Sequence, residues 1–159
     1  MDPIPPLSLV IMSQIVQVGS NVLVRVERLF QTLDKAEVVV VSIEGEGGVP
    51  LPFETNPFRG SIRLQDVRAF DIDKASISDH FAAGDIVRAK TIAVGDAKSS
   101  FFSTIGSEYG VILAKEQANG DGEFLVPVDQ SHMKNASNTA VYKRKVAKPV
   151  WMTTAVDNN

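Results

Sequence analysis

FAAGDIVRAKTIAVGDAKSSFFSTIG, residues 81–106, decides the fold. DIVRAKTIAV carries the two-residue rhythm of a strand, GDAKS supplies a tight turn, and SFFSTIG returns as an aromatic and β-branched strand. Working outward, DIDKASISDHFAAGD (71–85) holds the one helical spacing in this half of the chain, through Ile77, Phe81 and Ala82. It predicts a turn or two of helix with Gly84 as C-cap. RGSIRLQDVRAF (59–70) predicts a short strand from Ser61 to Leu64, after which Asp66 can cap a helical turn.

Further upstream, EGEGGVPLPFETNPF (44–58) reads as a loop, because proline cannot donate to a sheet ladder. AEVVVVSIEG (36–45) is a continuous β-branched run, expected to be covered on both faces. NVLVRVERLF (21–30) alternates, with Val22, Val24 and Val26 on one side and Leu23, Arg25 and Glu27 on the other. QTLDK between them is a hairpin loop. Five short strands with a helical turn between the third and fourth predict an all-β chain built on a five-stranded OB-type barrel, which closes its sheet and removes the edges.

Downstream, residues 110–148 predict a smaller three-stranded sheet. Its strands are YGVILAKE, then EFLVPVD across the Asn-Gly and Asp-Gly signals of QANGDG, then TAVYKRKVAKP ending at Pro149. About 40 residues have little core of their own, so this sheet should lean on the barrel. VWMTTAVDNN reads as a loose tail, residues 150–159, in which Trp151 can pack down.

With 159 residues, 44% hydrophobic and 22% charged, the composition is that of a folded domain or two small ones. No apolar run is long enough to cross a bilayer, so no membrane partner is expected. The start, MDPIPPLSLVIM, lacks the basic region and cleavage site of a secretory signal. Cysteine is absent, which removes disulfides, thiolate nucleophiles and Cys-ligated zinc. Net charge is −3, unevenly spread: residues 1–129 hold 11 Lys/Arg against 18 Asp/Glu, and residues 130–159 hold five against one. The basic end suits an acidic partner, a phosphate backbone or a solvated strand.

Four stretches, in this order and spacing, carry a resemblance: FRGSIRLQDVRA, GDIVRAKTIAVGDA, SEYGVILAK and KRKVAKP. Over residues 19–149 the chain resembles the Csl-type S1-domain cap subunit of the eukaryotic RNA exosome. The resemblance implies an S1 (OB-type) RNA-binding domain over 19–106 and a small, three-stranded, zinc-ribbon-like β domain over 107–149. Residues 1–18 would then be an extension, the remnant of the family's separate N-terminal β domain. It also implies a subunit that is not a nuclease and that sits on a six-subunit ring with two other cap subunits, around the pore through which RNA reaches a separate catalytic subunit. Partners would be RNA and the other ring and cap subunits, in the nucleus, nucleolus and cytoplasm. Archaeal relatives carry zinc ligands in the ribbon, whereas VPVDQSHMKNASN has no cysteine, so packing should replace the metal.

The residues themselves offer no catalytic constellation, no metal site and no cofactor motif. His80 reads as a partly exposed structural histidine, and His132 has only Asp129 nearby. Asp66, Asp71, Asp73 and Asp79 lack the glycine and final glutamate of a calcium loop, and EGEGG lacks the Lys-Ser/Thr of a phosphate loop.

RNA binding on an OB face needs cations for phosphates and rings for bases. Candidate cations are Arg25, Arg28, Lys35, Arg59, Arg63, Arg68, Arg88, Lys90 and Lys98. Rings are scarcer: the second strand has none, Phe30 and Phe58 are possible substitutes, and of Phe101 and Phe102 one should face the core and one the surface. The expectation is weak, sequence-independent RNA contact. Val111, Leu113, Phe124 and Val126 are expected on a protein-binding surface with Lys143, Arg144 and Lys145 on its rim. The alternative reading is a free-standing OB-type nucleic-acid-binding or translation-associated module with no exosome role.

Overall fold

The structure is a computed structural model that describes residues 16–44, 50–52 (backbone only), 59–69, 76–95, 100–116, 122–137 and 140–148. Its strands are β1 (Asn21–Phe30), β2 (Lys35–Glu44), β3 (Pro50–Pro52), β4 (Arg59–Arg63), β5 (Ile86–Ala93), β6 (Ser100–Ser103), β7 (Gly110–Leu113), β8 (Leu125–Asp129), β9 (His132–Asn135) and β10 (Val141–Lys143).

Strands β1, β2, β4, β6 and β5 pair in that order, and β5 returns to β1, so the sheet closes into a five-stranded barrel. All of these pairings are antiparallel except β4 with β6. The predicted inward set of β1 holds: Val22, Val24 and Val26 are fully buried. Register shifts between Leu23 and Val24 and between Val26 and Arg28 bend the strand around the barrel. Val38, Val39 and Val40 of β2 are all buried, as the unbroken apolar run requires. Phe81, Phe102, Ile62 and Ile77 complete the interior, each fully buried side chain contributing roughly 2–3 kcal/mol. Phe102 is the core member of its pair, and Phe101 lies outside.

The parallel seam is short, Gly60 opposite Ser100 and Ser61 opposite Phe101. A Cβ on Gly60 would run into the Ser100 carbonyl and sit 2.6 Å from the Phe102 ring, so only glycine permits this approach.

Several local expectations are corrected. The segment before β5 is not an α-helical turn but a 3-10 turn, Ile77–Asp79, and residues 70–75 lie outside the described ones. Its cap is a reciprocal box between Ser76 and Asp79, and His80 closes it. Gly84 is not that C-cap. Its φ of +92° turns the chain into β5, and its N–H donates to the Val26 carbonyl. Asp66 ends a second 3-10 turn, Leu64–Asp66, whose N-cap position is Arg63. The Pro-rich loop contains β3, antiparallel to β2 beyond its pairing with β4.

The small sheet is β10-β9-β8, antiparallel, and its membership differs from the expected one. YGVILAKE supplies β7, which joins the barrel beside β5. Among the described residues its end bonds to the β8 segment, through the Lys115–Phe124 bridge and the flanking backbone bonds Leu125 N to Ala114 O and Glu116 N to Glu123 O. The third strand, β9, comes from HMKN, which has no strand rhythm. TAVYKRKVAKP is β10 only to Lys143. Leu125, Met133 and Val146 join the barrel's buried cluster, so one core serves both sheets.

Candidate nucleic-acid interface

The antiparallel order β1-β2-β4 places successive outward residues in rows across three strands. Phe30, Lys35 and Arg63 form one row, Arg28, Glu37 and Ser61 the next, and Arg25, Val39 and Arg59 a third. Strand β6 continues the face with Phe101 beside Ser61. Strands two and three of an OB barrel form its usual oligonucleotide-binding face.

Two rings on this face each carry a cation. The Arg28 guanidinium lies 5.3 Å and the Lys35 ammonium 5.5 Å from the Phe30 ring centre. Arg63 lies 4.2 Å over Phe101 while donating from Nε to Asp66 at 2.7 Å. Val39, though on the outer side, is only 6% exposed, because it sits between the stems of Arg25 and Arg59.

The arginines are accompanied by carboxylates. Arg25 Nε donates to Glu27 at 3.1 Å, and Arg59 reaches the other oxygen of the same carboxylate at 3.5 Å. Arg28 Nε donates to Glu37 at 3.2 Å. These pairs are half exposed, and such pairs contribute about 0–1 kcal/mol each. A phosphate can therefore take a carboxylate's place at small cost.

Of the nine predicted cations, the structure gathers Arg25, Arg28, Lys35, Arg59 and Arg63 on this face. It does not bring the others there. Arg88 on β5 is held by Glu44 at 2.9 Å and lies over the Tyr109 ring at 5.1 Å. Lys90 is exposed on β5, on the other side of β1. Arg68 is half-buried and close enough to His80 and Lys145 to lower the pKa of both. Lys98 and Phe58 lie outside the described residues. The sequence reading placed Glu27 on the outward side with Arg25 but did not pair it with an arginine, and it did not single out Glu37. Glu27 could have been found from its two-residue offset to Arg25, and Glu37 from the hairpin pairing opposite Arg28.

The basic segment after β10 is corrected most. Lys143 is exposed, but Arg144 and Lys145 do not stand on a rim. Arg144, 7% exposed, donates from Nε to the buried Asp85 at 2.8 Å. Burial raises the Asp85 carboxyl above its ordinary value, and Arg144 pulls against that shift. Lys145 Nζ donates to the Gly106 and Tyr109 carbonyls at 2.9 and 2.6 Å, and its burial lowers its pKa to about 8. The fixed backbone of the segment directs both side chains inward, a placement that charge counting does not see.

His80 is 4% exposed, not partly exposed as expected; its Nδ1–H donates to the Ser76 carbonyl at 2.8 Å. His132 meets Asp129 at 2.9 Å on the surface. Among the described residues no three His, Asp or Glu side chains converge as metal ligands would. Val111 is buried in the core, whereas Leu113, Phe124 and Val126 are exposed together with Ile112, Val128 and Val141.

Comparison with known proteins adds to this geometry. A family model described as Exosome component EXOSC1/CSL4 matches residues 52–94. The exosome complex component csl4 of Schizosaccharomyces pombe is 39% identical over 133 residues, covering 84% of this chain and 67% of the relative. The human exosome complex component CSL4 is 36% identical over 132 residues, covering 82% of this chain and 62% of the relative, and that of Mus musculus is 35% identical with the same coverage. The chain thus spans roughly two thirds of the length of these relatives.

Proposed function

Because the chain belongs to the EXOSC1/CSL4 family of exosome components, we propose that it is a non-catalytic cap subunit of an RNA exosome, guiding RNA to the ring by weak, sequence-independent contact. The observation that carries the RNA contact is the pair of cation-bearing rings, Phe30 and Phe101, on the outer face of β1, β2, β4 and β6. A ring offers its π-face to any base. Weakness follows from the carboxylates already on the arginines.

The second half of the role is assembly. Phe124, Val126, Val128 and Val141 on the small sheet, with Ile112 and Leu113 on β7, expose apolar surface that RNA would not cover. This surface meets neighbouring ring or cap subunits, with Lys143 at its edge. Residence in the nucleus, the nucleolus and the cytoplasm follows from that assignment.

Fluorescence anisotropy with an oligouridylate tests the RNA contact. Binding should be weak and fall steeply with salt, and Phe30→Ala with Phe101→Ala should reduce it roughly tenfold or more. Unchanged affinity in that variant would remove the face from the account. Tagged chain should co-purify exosome ring subunits; recovery without them would favour the free-standing module. RNA incubated with the chain and Mg²⁺ should remain full length.

A further inference from the structure

We infer that Glu27 and Glu37 are resident competitors for phosphate on the barrel's outer face, so that RNA binds there by displacing them from Arg25, Arg59 and Arg28. The inference rests on the RNA reading above and adds its regulation.

Three of the five gathered cations are arginines already engaged by two carboxylates. Glu27 divides its oxygens between Arg25 and Arg59, and Glu37 holds Arg28. The side chains are 30–65% exposed, open to exchange with a solvent anion. Each carboxylate also holds its guanidinium in place on the barrel's outer face. A guanidinium is thus pre-positioned but not idle, and each RNA contact exchanges one anion for another instead of filling an empty site. The expected result is low affinity with fast exchange along the strand, suited to a surface that RNA must slide past. Arg63 differs: its partner Asp66 is buried and closer, at 2.7 Å, so this pair stays intact and fixes the guanidinium over Phe101.

The test compares Glu27→Gln with Glu37→Gln against Glu123→Gln, just before β8, with Asp129→Asn at its end, which changes net charge equally. Full-length chain and a fluorescent oligouridylate are used, at about 50 to 200 mM salt. The first variant should bind roughly 3- to 30-fold more tightly, as expected from releasing three weak, exposed pairs. Its log K against log salt should steepen by up to about 2, for three guanidiniums freed toward phosphates. The control should change affinity less than about twofold. Equal tightening in both variants overturns the inference, because bulk charge would then explain it. So does an unchanged Glu27/Glu37 variant in a chain whose binding still depends on Phe30 and Phe101. Absence of oligouridylate binding in every variant, wild type included, overturns the RNA reading itself.

Discussion

His80 shows how one side chain ties pH to stability. Desolvation by burial is the largest influence on it and lowers its pKa from the ordinary 6.5, ahead of the opposing hydrogen bond to Ser76 and the charges of Arg68, Asp79 and Lys145. The folded chain therefore holds that proton less well than the unfolded chain. As pH falls through 6.5 the unfolded state takes up a proton that the folded state refuses, and stability drops; above 6.5 the contribution is fully present. His80→Asn keeps an N–H donor toward the Ser76 carbonyl and removes the titration. The difference in unfolding free energy between wild type and this variant should be constant above about pH 7 and should fall below 6.5. Urea unfolding at a series of pH values measures it, and parallel curves across that range would refute the assignment. The Arg144 and Lys145 placements belong to the same scale. Both charges are satisfied by groups far away in sequence, Asp85 and the Gly106 and Tyr109 carbonyls. No local rhythm announces such partners, so a basic run that looks like a surface rim is an internal strap.

At the scale of elements, what was legible depended on how local the pairing is. The β1–β2 hairpin and the β5–β6 return were visible because alternation and turn residues lie within one stretch, and closure into a barrel followed from their count and order. The parallel β4–β6 seam was not, since it joins residues about 40 positions apart and is fixed by one small residue, Gly60. Nor was β9, whose HMKN sequence has no alternation and becomes a strand only because β8 and β10 flank it. On the candidate face five of the nine expected cations gather, and their pairing with Glu27 and Glu37 emerges only with the strand register. Gly60→Ala tests the seam. The new methyl meets the Ser100 carbonyl, which is backbone and cannot rotate away, and the Phe102 ring, which fills the core. The variant should lose about 1–3 kcal/mol of stability, read as a lower urea midpoint. An unchanged midpoint would mean that β4 and β6 do not close as described.

At the scale of the whole molecule, residues 144–148 decide whether barrel and small sheet behave as one body. Their backbone is bonded to both. The Arg144 and Val146 N–H groups donate to Ser131 and Gln130 in the small-sheet hairpin. Lys145, Ala147 and Lys148 donate to His80, Val111 and Ser107 on the barrel side. Gly110, at φ +142°, lets β7 pass against this strap, where a side chain would strike the Lys145 carbonyl. Through the middle runs the buried Arg144–Asp85 pair, and Asp85 also accepts the Ala82 N–H at 2.9 Å. Breaking one partner of a buried pair leaves a charge without its counter-ion, which costs about 3–5 kcal/mol, whereas removing both charges costs far less. Arg144→Met should therefore destabilise the chain by about that amount. Arg144→Met combined with Asp85→Asn, which retains the Ala82 acceptor, should recover most of the loss. Barrel and small-sheet amides should lose hydrogen-exchange protection together in the single variant, because one strap and one core serve both. A double variant as unstable as the single would show that packing of the arginine stem, and not charge pairing, holds the two sheets; loss confined to the small sheet would show that they fold separately.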